Sequence, residues 1–387
     1  MTTLFPEFSN LLDANQYLVR LSPFFRGTRA AGCRAYDHIN GVFVAIDYGH
    51  PRQDGLEAMR ERVVLYDTAI QRQIEVRGKD ALRLCDYLFT RDLSELEVNR
   101  ARYGFFCRPD GVIITDAVVT RFADDRVWLS PTVADLILWI QGVATARQYD
   151  VEIAEAEYAT ARLEGKRSLD LMRDLVGELY ARLPYFRCGR ARIADVDVLI
   201  SKTASGPSPG CDIYVPNGSA MAVWDAIVSA GRRHGLLIKG WDELDNATMM
   251  ESGVLFFSYT TNYEDRINPL EFWRSFVDLS GDEFIGKAAL LEIQASGGPR
   301  RRVIGLVGSE HDQGPIIGKL DVKDRNSTVG FTRWIVWSPT LQRNIGYALV
   351  EARYAQHEGC AVSVVHPSEE EPMTITALPF VTPRRSS

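Results

Sequence analysis

The chain has 387 residues, enough for two or three domains with a substantial core, and its 46% hydrophobic and 25% charged residues are those of an ordinary globular protein. A formal charge of -7 argues against nucleic acid or an anionic membrane as the main partner. No apolar run is long enough to span a bilayer, and Met-Thr-Thr-Leu-Phe-Pro-Glu at the start lacks a basic stretch followed by an apolar one, so a cytoplasmic protein is expected.

Residues 1–50 mix aromatic and polar groups without a clean period and read as a segment packed over the core; 57–64 looks helical. From Gln71 the period is two, with Ile74 and Val76 inward, and Ala81, Leu84, Cys85 and Leu88 then recur at helical spacing. Pro109-Asp110-Gly111 is a tight-turn signal. The run 112–122 after it reads as a buried strand, joined through Ala123-Asp124-Asp125 to another at 127–130. Thr132 followed by Asp135 reads as a capping box for a helix ending near Arg147, and 151–153 closes the unit as a strand. With a further strand near Tyr103, this is the split β-α-β order of a ferredoxin-like unit.

A similar order recurs: a strand at 161–165, a helix around 169–180, strands at 193–201 and 212–215, a helix over 220–234 closed by Gly235, and a strand at 236–238. Residues 303–380 are strand-like, with Gly, Pro and Asn turns at short intervals, as an antiparallel barrel requires. The expected α+β organisation is an N-terminal segment and first ferredoxin-like unit at 1–158, a second unit at 159–285, and a C-terminal β-barrel at 286–387. Arg300-Arg301-Arg302, preceded by Gly297-Gly298-Pro299, reads as a solvated inter-domain loop.

Asp116 interrupts the apolar run of its strand. An unpaired buried charge is too costly, so this carboxylate is either held by backbone donors and a partner cation or kept for chemistry; the residues alone leave both open. The 6 cysteines include no C-x-x-C pair and the 6 histidines no H-E-x-x-H or H-x-H spacing, so no protein-bound metal is expected. There is no dinucleotide fingerprint, P-loop or G-x-S-x-G elbow. Aromatic residues concentrate in 256–263 with Trp241, Phe272, Trp273 and Phe276 nearby. Such faces hold an onium group through cation–π attraction or stack an aryl ether, and ordinary core packing accounts for them equally well. Trp241, Tyr259 and Phe272 are the candidate contacts to a small-molecule substrate.

Several segments carry a family resemblance: Leu65-Tyr66-Asp67-Thr68, 74–81 (IEVRGKDA), Thr90-Arg91-Asp92-Leu93, Tyr103, 110–116 (DGVIITD), Cys211-Asp212-Ile213-Tyr214-Val215, 282–290 (DEFIGKAAL) and Trp337-Ser338-Pro339-Thr340-Leu341. In order and spacing they resemble the folate-binding aminomethyltransferase family, which includes the T-protein of glycine cleavage, over nearly the whole chain. The wording of 69–76 is closest to the branch that demethylates dimethylsulfoniopropionate. The resemblance implies two ferredoxin-like sheets forming a folate cleft, followed by a barrel. It also implies tetrahydrofolate as cofactor, Asp116 at the folate nitrogen, Asp212 on the amino-pyrimidine edge of the pterin, and Tyr103, Val118 and Ser205 alongside. A carboxylate at the first position stabilises positive charge developing on that nitrogen. One at the second accepts two donors at once.

Residues 201–210 (SKTASGPSPG) depart from the family's usual Ser-Arg-Thr-Gly-Tyr-Thr-Gly-Glu, losing its aromatic residue and, through two prolines, backbone donors. The acidic run 241–245 stands where the family has an arginine. The expected activity is therefore not glycine cleavage but transfer of a methyl group from a small sulfonium, ammonium or methoxy donor to tetrahydrofolate, by a monomer or homodimer without nucleic-acid or membrane partners. A family-fold enzyme that no longer uses folate (a lyase, hydrolase or cyclase) and a non-catalytic folate-binding protein are the alternatives.

Overall fold

The computed structural model describes residues 20–132, 135–203, 208–241, 246–254, 263–272, 276–366 and 370–381. Contacts gather the chain into two compact units. One comprises Met1–Gln73, Ala156–Thr203 and Pro209–Leu244; the other comprises Ile74–Glu155, Ala204–Ser208 and Asp245–Ser387.

In the second of these, a five-stranded antiparallel sheet runs in the order Arg100–Cys107, Ile113–Ala123, Arg126–Pro131, Ile74–Arg77, Glu152–Glu155. The helices Ala81–Leu88 and Leu136–Ala146 cover one face, where Leu84, Cys85, Leu88, Leu136 and Ile140 pack on Val76, Ala117, Val119 and Leu129. Alternation sends Asp116 and Val118 to the opposite face, beside Phe105 and Tyr103 on the neighbouring strand. The expected capping box does not form. Asp135, not Thr132, precedes the helix, and it makes no side-chain cap bond.

The same unit holds a closed barrel in the order Arg301–Val307, Arg343–Glu351, Ser327–Ser338, Ile316–Asp324, Ala361–Val365, Glu370–Thr376. Its interior is aliphatic, filled by Leu306, Val322, Ile335, Val350, Val364 and Ile375 among others. Arg301 corrects the reading of 300–302 as a solvated loop. It opens a barrel strand, and its guanidinium grips Glu271 at 2.8 and 3.2 Å and the carbonyls of Asp265 and Arg266. The Trp337–Leu341 motif has a structural task here: Ser338 and Thr340 donate to the buried carboxylate of Glu251 on the helix Asn246–Glu251.

The other unit is built on a six-stranded sheet, ordered Cys188–Ile193, Val196–Ser201, Gly210–Pro216, Tyr158–Glu164, Val63–Asp67, Leu236–Lys239. All pairs are antiparallel except the last, which is parallel. Here the residues ahead of Ile74 join the second sheet, not the first. The helix Arg52–Glu61 stops short of Val63, and Val63–Asp67, buried at every position, runs as a central strand. Adjacent β-branched valines favour that outcome over more helix. The strand expected at 193–201 begins only at Val196: Ala194-Asp195, with φ of 50° and 61° as a type I′ turn demands, join it to an earlier hairpin arm, Cys188–Ile193. Residues 20–47 add a small three-stranded sheet and the helix Phe25–Ala30, with Phe24 packed on Trp224 at 5.3 Å. Among the described residues, no helix is long and apolar enough to cross a membrane.

Candidate functional site

Asp116 is buried, 7% exposed, and both carboxylate oxygens are engaged by neutral hydroxyls. Thr132 donates to Oδ1 at 2.5 Å and the Tyr103 phenol to Oδ2 at 3.0 Å. Among the described residues no cation pairs with it. Burial pushes its pKa above the ordinary carboxylate value, and the two hydroxyls only partly offset this. Burial, and then the charge of Asp116, push the Tyr103 phenol well up, so it stays a donor. Of the two alternatives open from the sequence, a partner cation is not found among the described residues; uncharged donors hold the carboxylate.

An aromatic group surrounds Tyr103. Its ring meets Phe276 edge-on at 5.0 Å and Phe105 at 5.9 Å, and Phe105 stacks on Phe272 at 5.5 Å. Phe272 is 2% exposed and packs with Met250, Ile267 and Tyr347, which makes it a core residue of this unit. Val118 stands directly across from Tyr103 in the strand register.

Asp212 lies in the other unit, 4% exposed, which excludes a solvated strand face. One cross-strand row runs Ser201, Asp212, Arg162, Tyr66, Lys239. Arg162 donates to both oxygens of Asp212, at 2.8 and 3.2 Å, and Thr203 adds its hydroxyl at 2.7 Å. Burial opposes the charge of Arg162, but Asp212 more than compensates and holds its pKa above the ordinary value. The Ser201 hydroxyl beside this pair is buried without a partner among the described residues. Trp241, expected as a substrate contact, is 5% exposed and donates its indole N–H to the Asp67 carbonyl at 2.8 Å. Asp67 itself is 2% exposed, and burial raises its pKa to about 6. Ser205 and Tyr259 lie outside the described residues.

Sequence reasoning missed Arg162 and Thr132. Arg162 left a weak signal, a charge between Ala161 and Leu163 in an apolar strand; Thr132 gave none beyond its resemblance to a helix cap. Among the described residues, no three His, Cys, Asp or Glu side chains are grouped to hold a metal.

Two α+β sheets and a closed C-terminal barrel are the architecture expected of the aminomethyltransferase class. Family profiles agree: the GCVT N-terminal domain matches residues 30–277, and the glycine cleavage T-protein C-terminal barrel domain matches 301–382. The chain belongs to the glycine cleavage T-protein (aminomethyltransferase) family, whose chemistry is folate-dependent one-carbon transfer.

It is 29% identical over 363 residues to the dimethylsulfoniopropionate demethylase DmdA of Ruegeria pomeroyi, covering 92% of this chain and 96% of that one. It is 32% identical over 306 residues to an aminomethyltransferase of Alkaliphilus oremlandii, covering 77% and 81%. The aminomethyltransferase T structure from Bartonella henselae shares the fold, with a TM-score of 0.82 at 18% identity, covering 94% of this chain and 99% of that one.

Proposed function

We propose that this protein is a demethylase that moves a methyl group from a small cationic donor, a sulfonium or ammonium compound, to tetrahydrofolate. The observation that carries the reading is Asp116: a buried carboxylate that has only neutral partners among the described residues favours a ligand bringing positive charge. The partly buried rings of Tyr103 and Phe276 suit an onium group for the same reason, and a neutral methoxy donor would leave the carboxylate uncompensated. The relative named as a dimethylsulfoniopropionate demethylase, matched over nearly its whole length, supports this choice.

Asp116 suits the reacting nitrogen of a reduced pterin, as a buried carboxylate with only neutral partners among the described residues. Tetrahydrofolate, when bound, supplies the nucleophilic nitrogen that takes the methyl group. Asp116 holds negative charge where positive charge accumulates and accepts the proton released there, a task that a raised pKa suits. Tyr103 orients the carboxylate throughout. Glycine cleavage is not the proposed activity, because the 201–210 loop lacks the family sequence.

One observation favours a second reading. Both oxygens of Asp212 already accept bonds from Arg162 and Thr203, which suits a member that has given up the pterin clamp and folate with it. Titration calorimetry with tetrahydrofolate, followed by turnover with sulfonium, trimethylammonium and aryl methyl ether donors, separates the two. Binding and 5-methyltetrahydrofolate formation from onium donors alone is the expected result. No heat at millimolar tetrahydrofolate would move the assignment to the folate-independent reading.

A further inference from the structure

We infer that Thr132 is a positioning residue for Asp116, fixing the carboxylate's orientation and keeping it ionisable in a buried place. The inference rests on the reading of Asp116 given above, and its test has an arm that needs no substrate. Thr132 follows Pro131, the last residue of its strand, which stands opposite Ala117 in the register. From there it holds Asp116 twice: its N–H donates to the Asp116 carbonyl at 3.2 Å and its hydroxyl to Oδ1 at 2.5 Å. Thr115 donates its hydroxyl to the same carbonyl at 3.1 Å, so backbone and side chain of Asp116 are both fixed.

A hydroxyl has one proton to give, and that of Thr132 goes to Asp116. Tyr103 serves the other oxygen. Each buried oxygen therefore has one hydroxyl donor among the described residues, and removing Thr132 would take that donor from Oδ1. The charged form would lose more than the neutral one, so the carboxyl would ionise less readily. β-Branching narrows the side chain's choice of rotamer, so the donor is aimed before any ligand arrives. This use also explains why Thr132 does not cap the helix Leu136–Ala146.

The experiment follows Asp116 by carbon NMR in protein labelled at the aspartate carboxyl carbons, with Asp116→Asn to assign the signal. In Thr132→Val the titration of Asp116 should move to higher pH, and in Thr132→Ser it should return toward the wild-type position. Thr132→Ala repeats the test without adding a methyl group beside the carboxylate. With an onium donor, kcat should fall about ten- to a hundredfold in the Val variant with KM little changed, as for loss of a hydrogen bond to a charged group. The acid limb of the rate profile should also move up. An Asp116 titration unmoved in both Val and Ala variants overturns the inference. A titration that moves in an enzyme turning over no onium donor upholds the positioning role and removes the demethylase reading.

Discussion

Arg162 and Asp212 stand opposite one another on neighbouring antiparallel strands, and the guanidinium reaches both carboxylate oxygens, at 2.8 and 3.2 Å, with only 11% and 6% of the two side chains exposed. A two-pronged pair at this depth is satisfied only while both members are present. Arg162→Met should therefore cost about 3 kcal/mol or more in urea unfolding, chiefly by stranding Asp212. Combining it with Asp212→Leu should recover much of that loss. Additive single effects in the double-mutant cycle would show that the pair is not coupled.

For Asp116 the expected consequences are kinetic rather than structural. Burial raises its folded pKa, so the stability it contributes is present at low pH and lost as pH rises through that pKa. Asp116→Asn keeps an acceptor for a hydroxyl and abolishes the buried charge, so thermal stability at about pH 8 should hold or rise. Turnover should fall by roughly two to three orders of magnitude. A variant that melts early and turns over normally would remove Asp116 from the reaction.

Asp67 offers a pH dependence with a stated window. Its pKa is raised by burial from 3.8 to about 6, against hydrogen bonds from Ser22 and the Ala69 N–H, and its Oδ2 has no partner among the described residues. The raised folded value means that its contribution is complete below 3.8 and is lost as pH rises through about 6. Asp67→Asn should then stabilise the protein by up to about 3 kcal/mol at pH 8 and hardly at all near pH 4. Equal unfolding midpoints of wild type and variant at both pH values would contradict the assignment.

Glu251 should matter to stability out of proportion to its charge. It is 1% exposed and accepts from Ser338 at 2.6 Å and from the backbone and hydroxyl of Thr340 at 3.3 and 2.8 Å. Glu251→Ala strands those donors and leaves a cavity, so a loss of about 3 kcal/mol is expected in urea unfolding. Glu251→Gln, which still accepts at one oxygen, should lose clearly less; equal losses would mean that the cavity, not the clasp, decides.

Periodicity and turn chemistry were enough to read the two alternating units and the C-terminal barrel from the chain, because alternation of apolar residues and Gly, Pro and Asn at turns are local properties of strands. The Pro109-Asp110-Gly111 turn and the run behind it placed Asp116 on a strand for that reason. What the residues could not disclose was which partners arrive from distant parts of the chain. Val63–Asp67 takes its place beside Leu236–Lys239, across more than 150 positions, because pairing buries both of its faces, an advantage invisible to any local window. Thr132 looks like a helix cap in sequence, and only the register of two strands turns its single proton toward Asp116. Arg162 and Asp212 meet through the same kind of pairing, and that encounter makes Asp212 a buried, doubly bonded ion. The backbone propensities are local and so legible; the electrostatics of a buried charge belong to whatever the fold packs around it.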